Sequence, residues 1–209
     1  MKGYLCKKSL QFQPEIYWKI LEKAEAILIR KSPLTETSLI VHWSTKEHGL
    51  LRTAAKGARR PASPFSGKLD LFYAADITFA RSKRSDLHNV REVAVSNYRA
   101  GIQSNYGRVL CASYFCRLLE MAVEPEAPAP ELHDLLERGL NHLAETDASL
   151  KAVRHFETET AKLLGIHPGG RTPAIGAIRQ TIHKEPEQRA ALIKLLTNRP
   201  PASQAPPSP

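Results

Sequence analysis

Ala26-Ile27-Leu28-Ile29-Arg30 is a compact apolar run, closed by Pro33, and Ser38-Leu39-Ile40-Val41-His42-Trp43-Ser44 follows it. Both are rich in β-branched and aromatic residues, which fit a pleated, half-buried surface. Between the second run and Leu50-Leu51-Arg52-Thr53-Ala54-Ala55-Lys56 stands Lys46-Glu47-His48-Gly49. That tetrapeptide reads as a tight turn, with Gly49 supplying a positive φ at low cost. The two flanking runs then form a hairpin. Gly57-Ala58-Arg59-Arg60-Pro61-Ala62-Ser63-Pro64-Phe65-Ser66-Gly67 is a loop by its two glycines and two prolines. Further strands are expected in Leu69–Arg81 and Asn89–Val95. Five short strands within about 70 residues suggest a small antiparallel barrel, of which the OB-fold is the commonest binding type. This places a barrel domain over residues 25–96.

The pattern then changes to a helical period, giving an α+β chain with an all-α domain over 97–197. In Asn105–Met121, the residues Tyr106, Val109, Leu110, Tyr114 and Leu118 share one side. Leu132, Leu135, Leu136, Leu140 and Leu143 form an i, i+3, i+4 stripe. Leu150, Val153, Phe156, Thr160, Leu163 and Leu164 form another, which should stop at Gly165 ahead of Pro168. Pro186 opens a last helix with Ala190, Ile193 and Leu196 on its apolar side. A groove for a protein partner is expected between Leu110–Met121 and Leu132–Leu143. Residues 1–24 are an extension in which Ile16, Ile20 and Ala24 predict a short helix. Residues 198–209, with five prolines, predict a disordered tail.

Composition excludes several classes. The 209 residues are 42% apolar and 24% charged, as in a globular protein. No apolar stretch approaches the roughly 18 residues that span a bilayer. The start is too polar for a signal peptide. The three cysteines, Cys6, Cys111 and Cys116, include no CxxC pair. They therefore argue against a disulfide framework and for a reducing cytoplasm. The eight histidines are scattered, so no metal site is expected. No nucleophile elbow, phosphate-binding P-loop or dinucleotide fingerprint is present. Glu157 and Glu159 are two apart and face different sides of a helix. Gly169-Gly170-Arg171 reads as a connecting loop. The chain is expected to be non-enzymatic and to need no cofactor.

Charge is the strongest signal, because it is uneven. Residues 1–119 hold 20 Lys+Arg against 9 Asp+Glu, a net of +11, whereas residues 120–209 hold 10 against 12, a net of −2. A basic first half suggests a polyanion partner. Arg52, Lys56, Arg59 and Arg60 fall within nine residues with no acid between them. Such density neutralises phosphates and releases counterions. These four and Lys68 are the first candidates for phosphate contacts. Arg30, Lys31, Arg81, Lys83 and Arg84 are the second. Their role would be to position a backbone, not to read bases. Trp43, Phe65, Phe72 and Tyr73 lie among them; each is better placed in the barrel core than on a base-stacking surface.

The ordered combination of Ala26–Arg30, Glu36–Val41, Thr45–Arg52 and Ala55–Arg60, closing with Ser63, Phe65, Gly67, Leu69 and Phe72, resembles the N-terminal domain of the RecO family of DNA-repair proteins. Leu118-Leu119-Glu120, the Leu135–Leu143 stripe and Phe156-Glu157 through Leu163-Leu164-Gly165-Ile166-His167-Pro168 are similar to the helical part. The resemblance covers about residues 25–168. It implies an OB barrel followed by helices. It also implies binding of single- and double-stranded DNA, annealing of complementary strands, and no covalent catalysis. The partners implied are RecR, single-stranded-DNA-binding protein and, indirectly, RecA. The implied location is cytoplasmic and nucleoid-associated. Many family members carry a four-cysteine zinc module after the position of Pro168. Gly169-Gly170-Arg171-Thr172-Pro173 stands there in this chain, so no zinc role is carried over.

The expected function is that of a recombination mediator and strand-annealing protein in RecF-type repair. Two other classes fit the charge pattern. One is an OB-fold RNA-binding protein of the translation machinery. The other is a non-catalytic interaction scaffold whose basic loop docks an acidic tail.

Overall fold

The structure, a computed structural model, describes residues 21–170 and 172–198. The helix expected across residues 16–20 and the expected tail beyond residue 198 lie outside the described residues. Five strands close a barrel in the order β1-β2-β3-β5-β4, with β4 pairing back onto β1. They are β1 (Leu21–Pro33), β2 (Leu39–Thr45), β3 (Gly49–Ala55), β4 (Ala74–Ala80) and β5 (Leu87–Asn97). All neighbours are antiparallel except β3 and β5, which run parallel through Arg52–Ala54 and Leu87–Asn89. This is the OB-fold arrangement, and closure removes the free sheet edges.

The apolar run in β1 is unbroken because both its faces are buried. Ala24, Ala26 and Leu28 point into the barrel with Val41, Trp43, Leu51, Ile77 and Phe79. Ile27 and Ile29 point outward and join Leu50, Phe72 and Ala74 in the core of the helical region. The register shift between Leu28 and Arg30 accommodates the change of curvature. In the β2–β3 turn Gly49 has φ +64°, as expected. A Cβ at Gly49 would also collide with the Ala127 carbonyl, so the position demands glycine twice over.

Two expectations for the strands are corrected. Leu21–Ala24 are not helical; they pair with Ala80–Ile77 as the first part of β1. The strand expected from Leu69 begins only at Ala74. Before it, Phe72 turns at φ +72° and exchanges backbone hydrogen bonds with β1 through Leu28 and Tyr73.

The helices are α1 (Ala100–Gln103), α2 (Tyr106–Ala122), α3 (Pro130–Glu145), α4 (Leu150–Leu163), α5 (Ala174–Ile182) and α6 (Gln188–Thr197). Asn105 caps α2 and Ser149 caps α4 through their side chains. The α3 stripe is buried throughout, and Phe115 of α2 stacks on Phe156 of α4 at 3.9 Å. The groove expected between α2 and α3 is therefore corrected: much of both helices lies in one packed core. Tyr106 is exposed rather than part of that core, α5 carries no expectation from the sequence, and the buried residue of α6 is Leu192. Arg99 joins the two parts. Its fully buried guanidinium donates to the Phe72 carbonyl at 2.6 Å and to Asn141 Oδ1 at 2.7 Å.

Candidate nucleic-acid interface

On the outer face of the barrel, Arg30, His42 and Arg52 are cross-strand partners in one rung over β1, β2 and β3. Arg30 reaches Glu120 of α2, with Nε donating at 2.9 Å and Nη2 at 2.7 Å from the same Oε1. His42 Nδ1 lies 3.3 Å from that oxygen. Arg117, one turn earlier on α2, donates to Glu120 Oε2 at 2.7 Å. Burial alone would raise the Glu120 carboxyl. His42, Arg117 and Arg30 outweigh it and hold the group at about 2.

At the other end of the rung, Arg52 Nη1 donates to Asp86 Oδ2 at 2.6 Å. This bond ties β3 to the β4–β5 turn, which carries Lys83 and Arg84. Lys56 is the first residue past the end of β3, four residues beyond Arg52, and its side chain is exposed. The chain then turns. Gly57 N donates to Ser38 Oγ and Arg59 N to the Thr37 carbonyl, which dock the 57–60 turn on the β1–β2 loop. Lys56, Arg59 and Arg60 are exposed, and among the described residues none has a carboxylate within ion-pair distance. Arg84 is likewise exposed, with no ion pair among the described residues. Arg52, Lys56, Arg59 and Arg60 follow β3 into its turn, with Arg30 beside Arg52 through His42.

Besides Arg30 and Arg52, which hold the ion pairs above, three further sequence candidates stand elsewhere or are already engaged. Lys31 Nζ pairs with Asp70 at 2.7 Å; burial raises the Asp70 carboxyl, and Lys31 together with the Leu71 amide overcomes this and lowers it. Arg81 sits at the opposite end of β1, where Glu22 and Glu126 grip it at 2.8 and 2.6 Å. Lys68 lines a groove with Lys23, Arg91, Glu25, Asp76 and Glu92, a surface of mixed charge. Trp43, Phe65 and Phe72 are core residues, and the Trp43 indole donates to Thr53 Oγ1 inside the barrel at 2.8 Å. Tyr73 is half-buried, edge-on to the exposed Tyr98. Sequence reasoning missed Arg117, Glu120 and His42, which lie in a helical stripe and a strand with no local charge run to flag them.

A sequence model described as the recombination protein O N-terminal domain matches residues 20–99, and one described as its C-terminal domain matches residues 103–197. The chain belongs to the RecO family. It is 31% identical over 146 residues to the DNA repair protein RecO of Syntrophus aciditrophicus (strain SB), covering 70% of this chain and 56% of that protein. It is also 31% identical over 143 residues to the DNA repair protein RecO of Rhodopirellula baltica, covering 68% and 53%. The chain thus spans about half the length of these RecO relatives. The N-terminal family match coincides with the barrel and the C-terminal match with the helices. Among the described residues no group of His, Cys, Asp and Glu could hold a metal ion, and no helix is long and apolar enough to cross a membrane.

Proposed function

We propose that the outer face of β3 and the 56–60 turn grip the phosphate backbone of DNA, and that the chain acts as a strand-annealing recombination mediator in DNA repair. The observation that carries this reading is the set of exposed cations, Lys56, Arg59 and Arg60, with no ion-pair partner among the described residues. Cations without an internal counter-charge lose little on meeting a phosphate and release its counterions. Two repelling strands brought to such a surface are screened, and bases left accessible can pair. The mediator reading also supplies the partners: RecR, single-stranded-DNA-binding protein on the strands, and RecA loaded afterwards, in the cytoplasm at the nucleoid. No covalent step and no cofactor is part of it. The helical region, whose cations and carboxylates balance, props the barrel and recruits protein.

The test is DNA binding and annealing by the wild type and by the Arg59→Glu/Arg60→Glu variant across a salt series, with and without single-stranded-DNA-binding protein on the strands. Reversal of both charges should weaken binding to any sequence by more than about tenfold and flatten the salt dependence. An oligonucleotide bound equally well by both proteins would end this reading. Preference of the wild type for structured RNA, with no annealing of complementary DNA, would end the repair assignment in favour of an RNA-binding one.

A further inference from the structure

A cleft of about 360 Å³ opens where α2 packs beside the barrel. Ile40 and Leu50 of the barrel and Pro125 of the α2–α3 connection form its apolar walls; Arg30, Arg52, Arg117 and Glu120 form its polar side. The four charges sum to +2, since three guanidiniums face one carboxylate. The arginine side chains are 49%, 40% and 38% exposed in that order, whereas Glu120 is 12% exposed, so cations rim the cleft over an anion at its base. Each guanidinium offers five N–H donors in a fixed fork. Arg30 uses Nε and Nη2 on the Glu120 and His42 side. Arg117 uses Nη1 on Glu120, and Arg52 uses Nη1 on Asp86. That leaves Arg30 Nη1, Arg52 Nη2 and both Nε and Nη2 of Arg117 without a hydrogen bond among the described residues. Arg52 Nε is buried and has no hydrogen-bond partner among the described residues either.

This combination is unlike the open 56–60 turn. The turn is all charge. The cleft offers unspent donors from three guanidiniums beside apolar walls, within the lower range of volumes that hold a small ligand. It adjoins the line of exposed cations through Arg52. We propose that the cleft is a single-nucleotide site: one unpaired nucleotide of a bound single strand enters it, its phosphate held by Arg117 of α2 together with Arg30 and Arg52, its base against Ile40 and Leu50. The inference rests on the backbone-binding reading of the barrel and adds to it a contact from the helical region. Glu120 is a positioning residue: it stays ionised and aims the forks of Arg30 and Arg117. A duplex has no unpaired base to insert, so the cleft distinguishes single from double strands without reading sequence.

The test is equilibrium binding of a labelled oligo-dT and of a duplex of equal length over a salt series. The proteins are the full chain, Arg117→Glu, Arg117→Gln and Arg59→Glu/Arg60→Glu. Arg117→Glu should bind the single strand about tenfold more weakly, the scale of one lost charge-assisted hydrogen bond. Its salt slope should be shallower by about 0.7 for the one phosphate given up, with duplex binding unchanged. Arg117→Gln should show the same selectivity with a smaller loss, and it is read alone, by the same criteria, if Arg117→Glu does not unfold cooperatively. Single-strand affinity equal to wild type in the Arg117 variants, with Arg59→Glu/Arg60→Glu weakened, overturns the cleft and leaves the barrel reading standing. Equal losses for single strand and duplex overturn it too, since Arg117 would then be an ordinary backbone contact. If Arg59→Glu/Arg60→Glu also binds as the wild type does, the barrel reading itself fails.

Discussion

The 56–60 turn and the α4–α6 contact handle charge in opposite ways. In the turn, Lys56, Arg59 and Arg60 are exposed, with no carboxylate of the described residues within ion-pair distance. Between α4 and α6, Glu157 is buried in the helical core, accepts from Tyr114 Oη at 2.7 Å and takes Arg189 Nε at 2.7 Å. Burial works against the charge of Arg189, and Glu157 more than restores it, so the guanidinium is held above its ordinary range. The difference separates charge that builds the molecule from charge left over for a partner. Removing the first kind should unfold the protein, and removing the second should leave it folded and inactive.

The largest expected effect lies in the helical core. Glu157→Ala would leave Arg189 without its counter-charge and Tyr114 without its acceptor, at about 3 kcal/mol or more of unfolding free energy. Denaturant titration measures it, and a loss under about 1 kcal/mol would blur the contrast. On the barrel side, Gly49→Ala should cost about 2 kcal/mol, from strain at positive φ and from the collision with Ala127, visible as a lowered thermal midpoint. Glu120 is intermediate, an ion pair shared by both regions. Its folded carboxyl lies at about 2 against an ordinary 4.5, so its stabilisation is complete above 4.5 and is lost as pH falls towards 2. Glu120→Gln should remove that acid limb from the pH–stability curve; an unchanged limb would assign acid sensitivity elsewhere. Lys31→Ala should cost less than about 1 kcal/mol, since its pair with Asp70 is exposed. Smallest of all, Arg59→Glu/Arg60→Glu should shift unfolding by no more than about 0.5 kcal/mol in either direction. A large change there would mean the turn is structural, and the comparison would collapse.

Much of the fold was legible because it is local. The β2–β3 hairpin shows in its β-branched runs and Gly49, and the α3 stripe in five leucines at helical spacing. The first part of β1 was not, because Leu21–Ala24 is strand only by pairing with Ala80–Ile77, more than 50 residues on. Nor was Leu192, whose burial depends on how α6 lies across α2. The candidate site divides in the same way. The density of cations over 52–60 is visible in one dimension. The in-register rung of Arg30, His42 and Arg52 is not, and neither is Glu120 meeting Arg30 from 90 residues away.

By itself the sequence determined that the first half carries the excess positive charge, that strands precede helices, and that 52–60 holds four cations with no acid among them. Only the tertiary structure decided which cations remain available. Coulomb attraction depends on distance in space, and the carboxylates that engage Arg30, Lys31, Arg52 and Arg81 all come from other parts of the chain. Lys56, Arg59 and Arg60 are left over because, among the described residues, the fold brings no acid to them.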